Sequence, residues 1–480
     1  MPSSPPIQIA DAGASPTTTS FLRPNSAGSE ASQYNRPTLY RYNGALYQVA
    51  NDPYGDEGNP LSPNYFRNCQ SVFKSTTGGN AWTEQDNANR LVAGQTLVGA
   101  FGAAVVQCGS VLWFLYDQGQ RPETSPGSGS YITQWDEIRA CKFDMATGLW
   151  GTPITTGGPR RSYADGALAT SQPFVWDAAW NGADEILCVH LDTDPANSPQ
   201  EVHFSVFDIS SETWTTVDSI AHVPAGSADE LPDRVIHDGT YWLVMNWPAV
   251  GTVSGGSSYE RASLTIDASY ALGTVANMFA NYGVGQPSLA SNPQQNPLDV
   301  IVFGGEVIAV QVASLKNYLG ADPKIMAMRT AAGSATPSWA WDDLDSVAWD
   351  ATTDSTGQSG HPVLAESGGT LYCLAGGHVF SIGPNPPQNE YWVYAQAYAG
   401  SGTWGAPAIW WRYRDAYPSG GSSFTNQQNQ LYKLAALGNN GESGAAGVNI
   451  AASMYDYWES NSIYFFGAVP NTCCCSDIAY

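Results

Sequence analysis

One feature constrains this 480-residue chain more than any other: a hairpin signal that returns about every 65 residues. Tight Gly-containing turns followed by apolar runs occur at Asn43-Gly44, Cys108-Gly109, Asn181-Gly182, Asp238-Gly239, Gly304-Gly305 and Gly368-Gly369. Counted at the second residue of each pair, the spacings are 65, 73, 57, 66 and 64. Asn-Gly and Asp-Gly suit such turns because a two-residue hairpin loop needs positive φ. A second signal runs out of phase with the first: an aromatic strand end, a polar turn, then a Trp. It places Trp82, Trp150, Trp214, Trp339 and Trp404 at spacings of 68, 64, 125 and 65, and the run Ala262 to Ala276 fills the double gap without its Trp.

Two hairpins per period make a four-stranded antiparallel sheet, and such sheets stacked radially make an all-β propeller. Six units are visible between Thr38 and Trp411. A further hairpin, MYDYWESNSIYFFGAV, lies near residue 460. A ring must close, so strands around Ile7 to Ile9 and Phe21 to Leu22 are expected to complete a seventh blade; six blades with a C-terminal extension are the alternative. The organisation expected is an extended arm over residues 1–36, a propeller over 37–470 and a Cys-containing tail over 471–480. The arm is rich in Pro, Ser, Thr and Ala and holds little that could form a core.

Charge narrows the partners. With 43 acidic and 19 basic residues the formal net charge is −24, which disfavours nucleic acid and anionic membrane surfaces. The apolar stretch from Leu91 to Tyr116 has the length of a membrane span, but Gln107, Cys108, Gly109 and Ser110 interrupt it at the expected hairpin turn, so a buried hairpin is predicted and no membrane insertion. The opening MPSSPPIQIADAGASPTTTS has neither the basic nor the apolar region of a secretory signal. Cys69, Cys108, Cys141, Cys188 and Cys373 fall in apolar runs and read as reduced core thiols. Cys473, Cys474 and Cys475 lack zinc-site spacing, and no metal is assigned to them.

In a ring of this kind the short turns share one face, so the long connections gather on the other and around the channel mouth. Long loops in a compact fold are the usual place for recognition. The ligand-binding candidates there are Arg121, Arg160, Arg161, Tyr163, Asp229, Glu230, Arg234 and Arg261, joined by Arg412 and Arg414 in the aromatic segment WRYRDAY. Arg beside carboxylates and Tyr can orient a polar ligand such as a glycan, and a carboxylate pair at the right separation can cleave a glycosidic bond. Adjacent Arg and Asp or Glu in loops also commonly tie loop to loop or face water, which is the simpler reading. No cofactor is expected. Asp192, Asp194 and Asn197 are oxygen ligands that could hold calcium, outside any EF-hand pattern. The six His show no metal-binding spacing, and no phosphate-cradling loop is present.

The segments VFDISSETW, CKFDMATGLW and LYCLAGG resemble kelch repeats, and KSTTGGNAW is similar to the Asp-box of sialidase-like propellers, with Ser75, Gly79 and Trp82 matching and Thr77 where the Asp would stand. Both resemblances imply a propeller. A sialidase-like enzyme would in addition bring three Arg onto a substrate carboxylate, with a Tyr-Glu nucleophile pair and an Asp acid; no local motif here fixes those residues, and no catalytic residue is assigned. The function expected is therefore a non-enzymatic structural or receptor- and glycan-binding propeller, in a virion or extracellular. Its partners would be neighbouring subunits of a large assembly, such as a phage or virus particle, contacted through the arm. A secreted sialidase-like glycoside hydrolase or lyase is the first alternative, and a kelch-like protein-interaction scaffold the second.

Overall fold

The computed structural model describes residues 7–10, 38–52, 69–77, 82–86, 91–92, 100–120, 134–163, 175–192, 201–216, 223–224, 234–248, 261–278, 298–314, 324–344, 358–359, 362–367, 369–382, 388–416, 434–436, 450–456 and 462–468. These residues are strand and short turn throughout. None forms a helix long and apolar enough to cross a membrane. Six antiparallel blades follow one another along the chain. Their innermost strands are Thr38–Tyr42, Ala100–Cys108, Val175–Trp180, Arg234–His237, Asp299–Phe303 and Val363–Ser367. In every blade the second strand pairs with the first and the third with the second, so sequence order is spatial order from the channel outward.

A further four-stranded sheet is built from both ends of the sequence. Leu434–Ala436, Ile450–Asp456 and Ser462–Ala468 come from one end, and Ile7–Ala10 adds the outermost strand from the other. Leu434–Ala436 contacts the innermost strands of the first and sixth blades, which places this sheet between them and closes the ring. The strand expected around Ile7 to Ile9 is found, as the outer edge of this sheet; Phe21 and Leu22 lie outside the described residues. Six blades, the alternative count and not the seven expected, thus stand complete between Thr38 and Ala416, with the closing sheet added to them.

Hairpin chemistry explains the local geometry. Asn43 and Gly44 have φ of 46° and 78°, so both central residues of that turn occupy the left-handed region that Asn-Gly favours. The run from Leu91 to Tyr116 is a hairpin as expected, with Cys108 paired to Val111, so its turn is Gly109-Ser110, one residue later than the sequence pattern suggested. Trp411 to Ala416 of the segment WRYRDAY belong to the outermost strand of the sixth blade, Ala408–Ala416, whose backbone pairs with the third strand from Gln388 to Ala395.

The cores lie between blades. Leu112, Phe114 and Phe143 of the second blade meet Tyr40, Tyr47 and Val72 of the first. Trp113, Leu115 and Ile138 of the second blade meet Ile186, Cys188 and Phe207 of the third. The third and fourth blades join through Leu187, Phe204, Trp242 and Leu264, the fourth and fifth through Met245, Met326, Met328 and Trp339, the fifth and sixth through Ile308, Ile325, Leu364 and Leu371. Alternate residues of a strand point to opposite faces, so each sheet contributes one set to each neighbour. Trp339 is 1% exposed and its indole N–H donates to Ser263 Oγ of the preceding blade at 2.8 Å. Trp150 packs on Phe114 and Phe143, and Trp214 on Phe207. The recurrent Trp therefore seals blade interfaces.

Candidate functional site at the long-connection end of the ring

Each innermost strand runs from the long-connection end of the ring to a short hairpin at the opposite end. Arg234 opens the innermost strand of the fourth blade, so it stands at the end where the long connections gather. Its Nη2 lies 3.0 Å from Asp299 Oδ1 of the fifth blade, and its Nη1 lies 3.7 Å from Asp177 Oδ1 of the third. Both carboxylates have a second task. Asp177 Oδ2 accepts the Val235 backbone N–H at 2.9 Å, and Asp299 Oδ2 accepts the Leu364 N–H at 2.8 Å. One guanidinium and two carboxylates thus join four successive blades at their innermost strands.

The electrostatics follow from this geometry. Burial works against the charge on Arg234, but Asp177 and then Asp299 more than offset it and hold the guanidinium above its ordinary value. Asp299 is 1% exposed, a burial that an ionised carboxylate tolerates only when paired and hydrogen-bonded, as here. Arg234 Nε is buried without a hydrogen-bond partner. The arrangement is a strut: the cation is held between two carboxylates that backbone donors fix in place.

The other candidates are distributed rather than convergent. Arg160, Arg161 and Tyr163 lie on the outermost strand of the second blade, in register with Glu137, Asp136 and Gln134. Arg412 and Arg414 lie on the outermost strand of the sixth blade, in register with Trp392 and Glu390. With strands about 4.8 Å apart, an outermost strand is about 14 Å from the innermost one, so these residues are set at the rim and not beside Arg234. Arg261 opens the third strand of the fourth blade, paired with Pro248. Arg121, Asp229 and Glu230 lie outside the described residues. Of the calcium candidates, Asp192 ends the second strand of the third blade, while Asp194 and Asn197 lie outside the described residues. Among the described residues no group of three or more His, Cys, Asp or Glu is placed to hold a metal ion.

Sequence reasoning missed Asp177 and Asp299. The signal was present in the alternation of acidic, basic and acidic residues at the inner-strand starts of three successive repeats. It also missed a set of ties near the short turns. Glu185 and Glu306, at the head of second strands in the third and fifth blades, each accept a phenol O–H from the following blade, Tyr270 at 2.5 Å and Tyr398 at 2.6 Å. Asp238 Oδ2 accepts the Gly333 N–H at 2.7 Å, and Lys142 pairs with Glu212 across the second and third blades. His190 and His203 are buried and paired across their strands, with His190 Nε2 2.9 Å from Ser205 Oγ.

Fold and geometry together define the chain as an all-β propeller of four-stranded antiparallel blades. No family model matches it, and no curated protein does. Among solved structures it is similar to a sialidase of Trypanosoma rangeli in complex with an inhibitor, at 13% identity and a TM-score of 0.40, covering 76% of this chain and 54% of that one. The β-propeller domain of the trilobed protease from Pyrococcus furiosus matches at 9% identity and a TM-score of 0.39, over 90% of this chain and 94% of that one. A β-fructofuranosidase of Bombyx mori matches at 10% identity and a TM-score of 0.33, over 78% and 84%. The chain spans about half the length of the sialidases it matches. At these scores the likenesses bear on no activity, and the fold assignment rests on the sheet order itself.

Proposed function

We propose that this chain is a non-enzymatic propeller that presents its long connections to a polar ligand, such as a cell-surface glycan, from the surface of a large assembly, a phage or virus particle. The observation that supports the reading most is the strut at the channel mouth. Arg234, the candidate best placed to meet a ligand in the channel, is committed to Asp177 and Asp299 and serves to hold four blades together. Recognition then falls to the connections and to the rim arginines, on a frame that keeps their bases fixed. The net charge of −24 argues against a nucleic-acid or anionic-membrane ligand. Residues 1–36 provide the contact with neighbouring subunits in this reading.

The test is quantitative proteomics of a density-banded particle fraction against the clarified supernatant of the producing culture. Stoichiometric presence in the particles, with residues 1–36 retained, is the expected result. Recovery only as free soluble protein would overturn the assembly role and turn attention to glycoside cleavage by long-connection carboxylates.

A further inference from the structure

The closing sheet has an unusual construction. Leu434–Ala436, its innermost strand, and Ile450–Asp456 beside it contact the first and sixth blades, so three strands from one end of the sequence already complete the ring. The fourth strand, Ile7–Ala10, is outermost and pairs only with Ser462–Ala468 within its sheet. Its register is Ile7 to Phe465, Gln8 to Tyr464 and Ala10 to Ile463, with an irregularity between Gln8 and Ala10. Four residues on an edge contribute little to ring closure, yet they cover a strand of sequence SIYFFGA. A bare edge of that composition would pair with other chains.

The path to this strand is also long. From the outermost strand of one blade to the innermost of the next, the chain uses residues 93–99, 164–174, 225–233, 278–298, 345–362 and 417–433. The corresponding stretch after Ile7–Ala10 is residues 11–37, longer than any of these, with Pro16, Pro24 and Pro37 and few apolar residues. Extended, it reaches up to about 90 Å at about 3.3 Å per residue. A compact chain of this length has a radius of gyration of only about 23 Å.

From these observations we infer that Ile7–Ala10 is exchanged between copies: in the assembled protein it occupies the outer edge of the closing sheet of a neighbouring copy, against that copy's 462–468 strand. The strand and the edge are the same in both arrangements, so exchange conserves every strand contact, and only the route of residues 11–37 changes. At the high local concentration of an assembly the second arrangement is favoured. Each copy then gives one strand and receives one, and every apolar edge is covered by a neighbour. This rests on the reading of residues 1–36 as the contact between subunits, and it names what that contact is.

The test places a photo-crosslinking amino acid at Ile9 in the full chain and co-refolds equal amounts of isotopically light and heavy copies. Crosslinked peptides joining residues 7–10 to 462–468 are then sorted by mass. Exchange predicts that about half of them pair a light with a heavy peptide; pairs that are all light or all heavy, at every protein concentration, would overturn it. A second variant, Gln8→Pro, removes a backbone donor from the strand. It should abolish the multimer seen in size-exclusion chromatography while the remaining monomer keeps its thermal transition; an unchanged multimer would also overturn the inference. Both measurements use purified protein, so failure to find the chain in particles would sink the particle reading and leave the exchange result standing.

Discussion

The phenol of Tyr270 donates a hydrogen bond to Glu185 Oε1 at 2.5 Å and so ties the fourth blade to the third. Tyr270 reaches Glu185 from a left-handed backbone, φ 63°, rare for a bulky residue, with its ring stacked on Trp242 at 6.0 Å. The tie repeats two blades on, where Tyr398 donates to Glu306 Oε2. Tyr270→Phe keeps the ring and removes the hydroxyl. It should cost about 1 to 2 kcal/mol, the range for a charge-assisted bond discounted for partial exposure. Denaturant unfolding of Tyr270→Phe, Tyr398→Phe and the double variant should show additive losses, because the two ties serve different interfaces.

The same phenols set an alkaline limit. Burial, and then Glu185, raises the Tyr270 phenol; burial, and then Glu306, raises Tyr398; burial, and then Cys141, raises Tyr116. A phenol held above its unfolded value favours its neutral form in the fold. Its contribution is complete below about pH 10 and is lost as pH rises toward the folded value. Thermal stability should therefore fall steeply above about pH 10. Phenolate absorbance should show a class of Tyr that ionises only as the protein unfolds, and full ionisation of all 25 Tyr in the native state would contradict this.

Arg234→Ala should act on stability. It removes the cation that faces the buried Asp299 and leaves the Leu364 N–H donating to Asp299 Oδ2. Removing one partner of a fully buried pair costs about 3 to 5 kcal/mol, and since the Arg234 side chain is 24% exposed, a loss of about 2 to 3 kcal/mol is expected. Differential scanning calorimetry gives the answer. An unchanged melting temperature with lost glycan binding would make Arg234 a ligand contact instead.

Cys108, Cys141, Cys188 and Cys373 are buried. Burial pushes the Cys108 and Cys141 thiols up to about 12 and raises Cys373 as well, so the thiolate that reacts is scarce at neutral pH. A disulfide reagent added to native protein should leave these four unmodified for as long as the fold persists, and they should react together on denaturation. Mass spectrometry of the four peptides after native labelling checks this.

Much of the architecture is legible in the chain because it depends on local turn chemistry. Asn43-Gly44 and Gly304-Gly305 can adopt positive φ where neighbours cannot, and their recurrence sets the blade period. The Trp signal is equally local, since a turn aims the indole at the interface with the preceding sheet, as with Trp150, Trp214, Trp339 and Trp404. Where that Trp is missing, Tyr270 covers Trp242. The three-residue strand Leu434–Ala436 is too short to leave a pattern. The strut was hidden for another reason: Asp177, Arg234 and Asp299 lie 57 and 65 residues apart, and only radial stacking brings them together. The site candidates chosen by residue type were spread between channel and rim for the same reason, because sequence order within a blade is radial position.

The two Trp markers should respond differently to truncation. Trp339 is fully buried between the fourth and fifth blades and its indole donates to Ser263, so Trp339→Ala opens a cavity and orphans a hydroxyl. A loss of about 3 to 5 kcal/mol follows. Trp214 packs on Phe207 at 5.3 Å but is partly exposed, so Trp214→Ala should cost only about 2 kcal/mol. Equal losses in chemical denaturation would mean that the third blade is packed more tightly than this geometry allows. A Trp214→Ala protein of unchanged stability and weakened glycan binding would turn that indole from interface seal into ligand platform, and with it move recognition to the short-turn end of the ring.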